Sequence, residues 1–122
     1  MKTELHIVNK QTIAEIVSDT VVIGSVQDAV DLLGECYFMG AGIIIVYENN
    51  IVEDFFNLKT GIAGEILQKF SNYRIRLAIV GDFKKHPGRS LRDFIFESNK
   101  AGRVIFVQTI DEALQFFSKE IN

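Results

Sequence analysis

The side chains of this 122-residue chain that could do chemistry fall into three groups. The first is acidic: Asp54, with Glu53 beside it, precedes a helix start, and Asp82 follows an apolar strand. Both carboxylates belong near the C-terminal edge of a sheet, where open α/β sheets bind ligands. General acid and base catalysis needs two groups at a set separation, which the fold supplies and spacing does not. Solvated caps and turns are the simpler account of both, and Asp82 in particular can bond the backbone N–H groups of the loop it opens. The second group is basic: Lys84, Lys85, His86, Arg89 and Arg92 stand next to a helix start at Ser90. Positive side chains and helix N–H groups would converge there on a phosphate or another anion. The pattern is not a phosphate-binding P-loop, so nucleotide hydrolysis has little support, and a solvated loop is again the simpler account.

The third group is the run DFFNLKTGIAGEIL over residues 54–67. Thr60 can cap the following helix through its hydroxyl, and the same position favours added negative charge on phosphorylation. Lys59 beside it could assist an anion. Gly61 and Gly64 are three residues apart, so both lie near one side of that helix, where the sheet or a second chain could approach closely. Phe55 and Phe56 are adjacent and cannot both face one core in a strand or regular helix, so aromatic surface is expected beside this corner. Phe55, Phe56, Thr60, Gly61 and Gly64 are therefore the expected recognition surface for a partner protein or for self-association. The simpler reading makes Thr60 a cap, the glycines packing positions and the phenylalanines core.

Composition narrows the function classes. A formal charge of −3 and a pI near 5.3 argue against nucleic-acid binding by bulk charge. Mixed charged and apolar residues at the N-terminus do not read as a signal peptide, and no apolar run approaches the roughly 20 residues needed to span a bilayer. A cytoplasmic setting without membrane contact is the expectation. Cys36 is the single cysteine, placed on a helix face with Leu33 and Tyr37, and reads as a buried thiol. His6, His86 and Cys36 show no metal-ligand spacing, so neither a metal nor a cofactor is expected.

The elements that must position these groups follow from periodicity. Two strands flank the turn Asn9-Lys10-Gln11 as a hairpin, and Val21-Val22-Ile23 is a strand end or a packed connection. Ser25 with Asp28 resembles a capping box ahead of a helix to Met39, with Gly40 and Gly42 after its end. Ile43 to Tyr47 is continuously apolar and β-branched, as for a strand covered on both faces at the centre of a sheet. Ile62, Ala63, Ile66, Leu67 and Phe70 mark a second helix, Ile75 to Val80 another strand, Ser90 with Asp93 the cap of a third helix closed by Gly102, Val104 to Val107 the last strand, and Thr109 with Glu112 the cap of a final helix. The expected fold is one layered α/β domain over residues 1–122: a mixed, mostly parallel sheet with an N-terminal antiparallel hairpin and four helices.

In element order, residues 4 to 120 resemble STAS domains, the fold of sulfate-transporter domains and anti-sigma-factor antagonists. The run from strand 43–47 through DFFNLKTGIAGEIL and strand 75–81 to VQTIDEAL carries that resemblance. It implies a regulatory, protein-binding module, with Thr60 at the position of a serine or threonine that a partner kinase phosphorylates. Only the pair Thr60-Gly61 matches that pattern, since the chain has Asn57-Leu58-Lys59-Thr60-Gly61 in place of the usual Asp-Ser-Ser-Gly or Asp-Ser-Thr-Gly. More narrowly, DFFNLKTGIAGEILQKFSNYRIRLAIVGDF with SLRDFIFESN resembles a bacterial family of short stand-alone proteins classed only as a domain of unknown function. A non-catalytic binding module is the leading expectation. The alternative is a small-ligand or anion binder, or an enzyme, that uses the Asp54 and Asp82 edge and the loop 84–92.

Overall fold

The computed structural model of the chain describes residues 1–119. Strands β1 (Lys2–Val8) and β2 (Gln11–Val17) are followed by α1 (Val26–Phe38), β3 (Ile43–Tyr47), α2 (Ile62–Tyr73), β4 (Arg76–Val80), α3 (Arg89–Ala101), β5 (Val104–Val107) and α4 (Ile110–Ser118). The five strands lie in the order in which they occur in the chain. β1 and β2 are antiparallel and every later pairing is parallel. This is the expected α/β fold with its N-terminal hairpin and four helices.

Local chemistry explains most of the boundaries. Asn9 and Lys10 have φ of 52° and 66°, the two positive values that a two-residue hairpin turn matching the strand twist requires. Ile43, Ile44, Ile45 and Val46 are all buried, which places β3 in the middle of the sheet with both faces covered. Ser25 accepts a hydrogen bond from the Asp28 N–H at 3.1 Å, and Thr109 accepts one from the Glu112 N–H at 3.1 Å, so two of the expected caps are in place. Each satisfies one of the four N–H groups that a helix start leaves without an intrahelical partner.

The third expected cap is replaced. α3 begins at Arg89, with Gly88 at its N-cap and no side-chain cap bond, and Ser90 lies within the first turn. Gly88 has φ of 124°, a conformation that a residue with a Cβ rarely adopts, so the backbone rather than a serine hydroxyl sets the entry to this helix.

The two faces of the sheet are unequally covered. α1, α2 and α3 lie on one face, where Leu33, Ile66, Phe70 and Leu91 pack with Ala14, Ile16, Ile44, Val46, Leu77 and Ile79. α4 alone covers the other, placing Ala113 and Phe117 against Ile13, Ile43, Ile45, Ala78 and Ile105. Between β3 and α2 the chain makes short 3-10 turns at Glu48–Asn50, Glu53–Phe56 and Leu58–Thr60. Asn50 anchors this region from inside: its side-chain amide donates to the carbonyls of Ser18 and Thr20, both at 2.9 Å. Its own carbonyl accepts from the N–H groups of Val22 and Ile23, which makes residues 21–23 a packed connection bridged to Ile51.

Phe55 and Phe56 correct the expectation of aromatic surface. They are 1% and 6% exposed and belong to the same core cluster. Adjacent side chains point apart in a strand or an α-helix, whereas this segment is a 3-10 turn, and the two rings meet edge to face at 5.1 Å. Among the described residues no helix is long and apolar enough to cross a membrane.

Candidate functional site

The site lies where the chain leaves the C-terminal ends of β3, β4 and β5. The parallel register sets Tyr47 beside Val80 and Val80 beside Val107, so Glu48, Gly81 and Gln108 come off adjacent strand ends. After β4 the chain turns to α3 on one face, and after β5 it turns to α4 on the other. Two loops diverging from neighbouring parallel strands leave a crevice between them, the usual ligand position in open α/β sheets.

Glu48 organises one wall. It is 6% exposed, and such a carboxylate must have partners to offset lost hydration. Its Oε1 accepts the Asp82 N–H at 3.1 Å and lies 3.4 Å from Lys85 Nζ, while its Oε2 pairs with His86 Nε2. The His86 ring stacks on Phe56 with centroids 4.4 Å apart and planes 15° from parallel. With Nε2 donating to Glu48, the neutral ring keeps Nδ1 as an acceptor, and Nδ1 has no hydrogen-bond partner among the described residues. A carboxylate on one ring nitrogen fixes the tautomer and orientation of a histidine, which suits it to accept a hydrogen bond or a proton.

Beside this wall is a cleft of about 480 Å³. Phe83, Leu91, Ile95 and Phe106 give it apolar lining, while Asp82, Lys84, His86, Arg92 and Gln108 add polar groups. Phe83 and Phe106 meet edge to face at 5.2 Å, which fixes the aromatic part of the lining. Asp82 Oδ1 accepts the Lys84 N–H at 3.2 Å, the loop-forming bond expected of it. Arg92 forms no ion pair among the described residues, and Lys84 contributes only its backbone to that bond. An apolar pocket bearing two cations and a positioned imidazole is suited to a small molecule with an apolar body and an acidic group.

Residues 8–116 match the family model described as a domain of unknown function, DUF4180. The chain belongs to this family. Neither the curated proteins nor the solved structures contain a match to it.

The structure sorts the candidates. Asp82, Lys84 and Arg92 share the cleft, and Lys85 reaches Glu48. Arg89 turns away, 3.7 Å from Asp93 on the exposed side of α3. Asp54 is exposed and lines neither hollow that Asp82 lines, so the two carboxylates do not share a pocket. Thr60 sits one residue ahead of the α2 cap: Gly61 takes the N-cap position with φ of 77°, and Thr60 Oγ1 accepts the Ile62 N–H at 3.3 Å. The hydroxyl also reaches the carbonyls of Asp54 and Asn57 at 2.8 and 2.9 Å, and its single proton serves one of them at a time. Gly64 is exposed, and a Cβ there would meet nothing within 4 Å, so close packing onto the sheet is not its role.

Sequence reasoning missed a second polar cluster, on the α4 face of the sheet. Glu15 lies in β2 between buried Ala14 and Ile16 and is itself 7% exposed. It accepts from Tyr47 Oη at 2.6 Å and from His6 Nε2 at 2.8 Å. Glu4, His6 and Glu15 place potential metal-ligating atoms within 4.8 Å of one another. Tyr47 and His6 already satisfy the buried carboxylate, so its burial needs no cation to explain it. A charged residue flanked by apolar neighbours, Ile13-Ala14 before it and Ile16-Val17 after it, was the available signal. Cys36 is fully buried, and burial, with a smaller contribution from Glu35, pushes its thiol up to about 11, so it is a poor nucleophile at neutral pH.

Proposed function

We propose that this chain binds a small molecule with an apolar body and an anionic group in the cleft between the loops after β4 and β5. The observation that carries this reading is the convergence of Lys84, Arg92 and His86 on an apolar pocket at the point where the chain switches faces of the sheet. Leu91, Ile95 and Phe106 would hold the apolar body, and Lys84 and Arg92 the acidic group. His86 Nδ1 would accept from a donor on the ligand. Burial of Phe55 and Phe56 weighs in the same direction, because it removes the apolar part of the rival partner surface.

Titration with anilinonaphthalene sulfonate, an aromatic anion of suitable type, tests the reading. Saturable binding should weaken roughly tenfold in Arg92→Glu and in Lys84→Glu, a change of about 1.4 kcal/mol each. Both residues are exposed, so their replacement leaves the core intact. Equal binding by the wild type and both variants would exclude the cleft as the site.

A second reading, a regulatory module recognised at Thr60, Gly61 and Gly64, has one observation in its favour. All three residues are exposed at the start of α2. Pulldown with Gly64→Arg tests it, and unchanged recovery of every partner would remove this corner from consideration.

A further inference from the structure

The two edges of the sheet are treated differently. At the β5 edge, side chains of α3 occupy the outward backbone groups: Asn99 accepts the Phe106 N–H at 2.7 Å and donates to the Phe106 carbonyl at 3.1 Å, and Ser98 Oγ donates to the Val104 carbonyl at 2.5 Å. At the β1 edge no such cover exists among the described residues. The two-residue turn makes Val8 and Gln11 a mutually hydrogen-bonded pair, so Lys2, Glu4, His6 and Val8 direct their backbone groups to β2. Thr3, Leu5 and Ile7 then direct theirs outward. Leu5 and Ile7 are also 52% and 77% exposed, so an open edge coincides with exposed aliphatic side chains. That combination is a template for strand addition.

We propose that β1 pairs with β1 of a second copy, antiparallel and centred on Leu5, to form a ten-stranded sheet across a two-fold axis. The strand is self-complementary in this register. Leu5 meets its symmetry mate as a hydrogen-bonded pair, Thr3 faces Ile7 of the other copy, and the four aliphatic side chains of Leu5 and Ile7 become neighbours on the helix-rich face. On the opposite face Glu4 comes against His6 of the other copy as a non-hydrogen-bonded pair, whose side chains are the closer kind. Opposite charge is thus available at both symmetry-related positions when His6 is protonated. Lys2 already lies 3.1 Å from Glu4 within its own strand. A register centred on Thr3 would leave Ile7 unpaired, and one centred on Ile7 would run into the turn, so Leu5 is the centre that pairs the whole strand.

Light scattering on the intact chain should give twice the chain mass, and Leu5→Pro should halve it. Proline there removes an outward N–H and leaves the bonds to β2 in place. A second measurement covers the possibility that proline perturbs the hairpin. In a Cys36→Ala background, Leu5→Cys should form a disulfide-linked dimer on mild oxidation, because Cα atoms of such a pair stand about 5.5 Å apart. Thr3→Cys should not, and Thr3→Cys with Ile7→Cys should. A monomeric wild type up to about 1 mM would overturn the proposal, as would a dimer that survives Leu5→Pro or that cross-links through Thr3→Cys alone.

Discussion

Glu48 occupies the space that a side chain at position 81 would need. A Cβ built on Gly81 would lie 2.5 Å from Glu48 Cβ and 2.6 Å from its Oε1. No real Cβ tolerates such contacts, so the residue after β4 lets the buried carboxylate lie against the strand end and reach His86. Gly81→Ala should therefore cost about 1–3 kcal/mol of stability, the range for overpacking a filled site. Urea unfolding measures the loss, and displaced His86 ring resonances would report the disturbed stack on Phe56. Unchanged stability and resonances would mean that Glu48 has room to move.

Tyr47→Phe should destabilise the opposite face. The hydroxyl donates to a buried carboxylate at 2.6 Å, and a hydrogen bond to a charged group contributes about 1.5–3 kcal/mol. The ring packs as before, so the loss reports the bond. If Tyr47→Phe and wild type unfold at the same urea concentration, His6 alone satisfies Glu15.

Stability should decline in alkali. Burial raises the Cys36 thiol from its ordinary 9.0 to about 11, so between those values the folded chain holds a proton that the unfolded chain releases. Unfolding is then favoured as pH rises through that interval. Tyr47 acts with the same sign from its ordinary value of 10.0 upward, because burial and its bond to Glu15 both hold its proton. Urea midpoints of Cys36→Ala should fall less steeply above pH 9 than those of the wild type. Parallel curves would assign the decline to other groups.

Gly64→Ala should stabilise the chain by about 0.5–1 kcal/mol, because glycine inside a helix is entropically unfavourable. Space is open there, and the added methyl meets nothing within 4 Å. A loss of stability would reveal a backbone constraint at this position.

Sheet and helices were legible where local pattern and tertiary packing ask for the same thing. Ile43 to Tyr47 had to be covered on both faces, and Ser25 and Thr109 could each cap a helix without outside help. Ser90 does not cap α3, because Gly88 provides another way into the helix, one that a capping pattern does not reveal. In the cleft, Asp82, Lys84 and Arg92 were visible as neighbours along the chain. Glu48 was not, because its partner His86 lies 38 residues away and only the β3–β4 register brings them together. Phe55 and Phe56 failed for a different reason: period-based arguments describe strands and α-helices, and these residues lie in neither.

The strictly sequential strand order has a consequence for how the molecule forms. Every pairing joins strands that are consecutive in the chain, so the sheet can grow outward from the tight N-terminal hairpin, one strand and its crossover at a time. Each addition closes a loop of modest length, which keeps its entropic cost low, and synthesis delivers the strands in the order of assembly. The cleft is completed late, because Phe106 and Val107 of β5 and Gln108 just after it arrive when only α4 is still to follow. A nascent chain would thus hold most of its sheet before the cleft had both its walls.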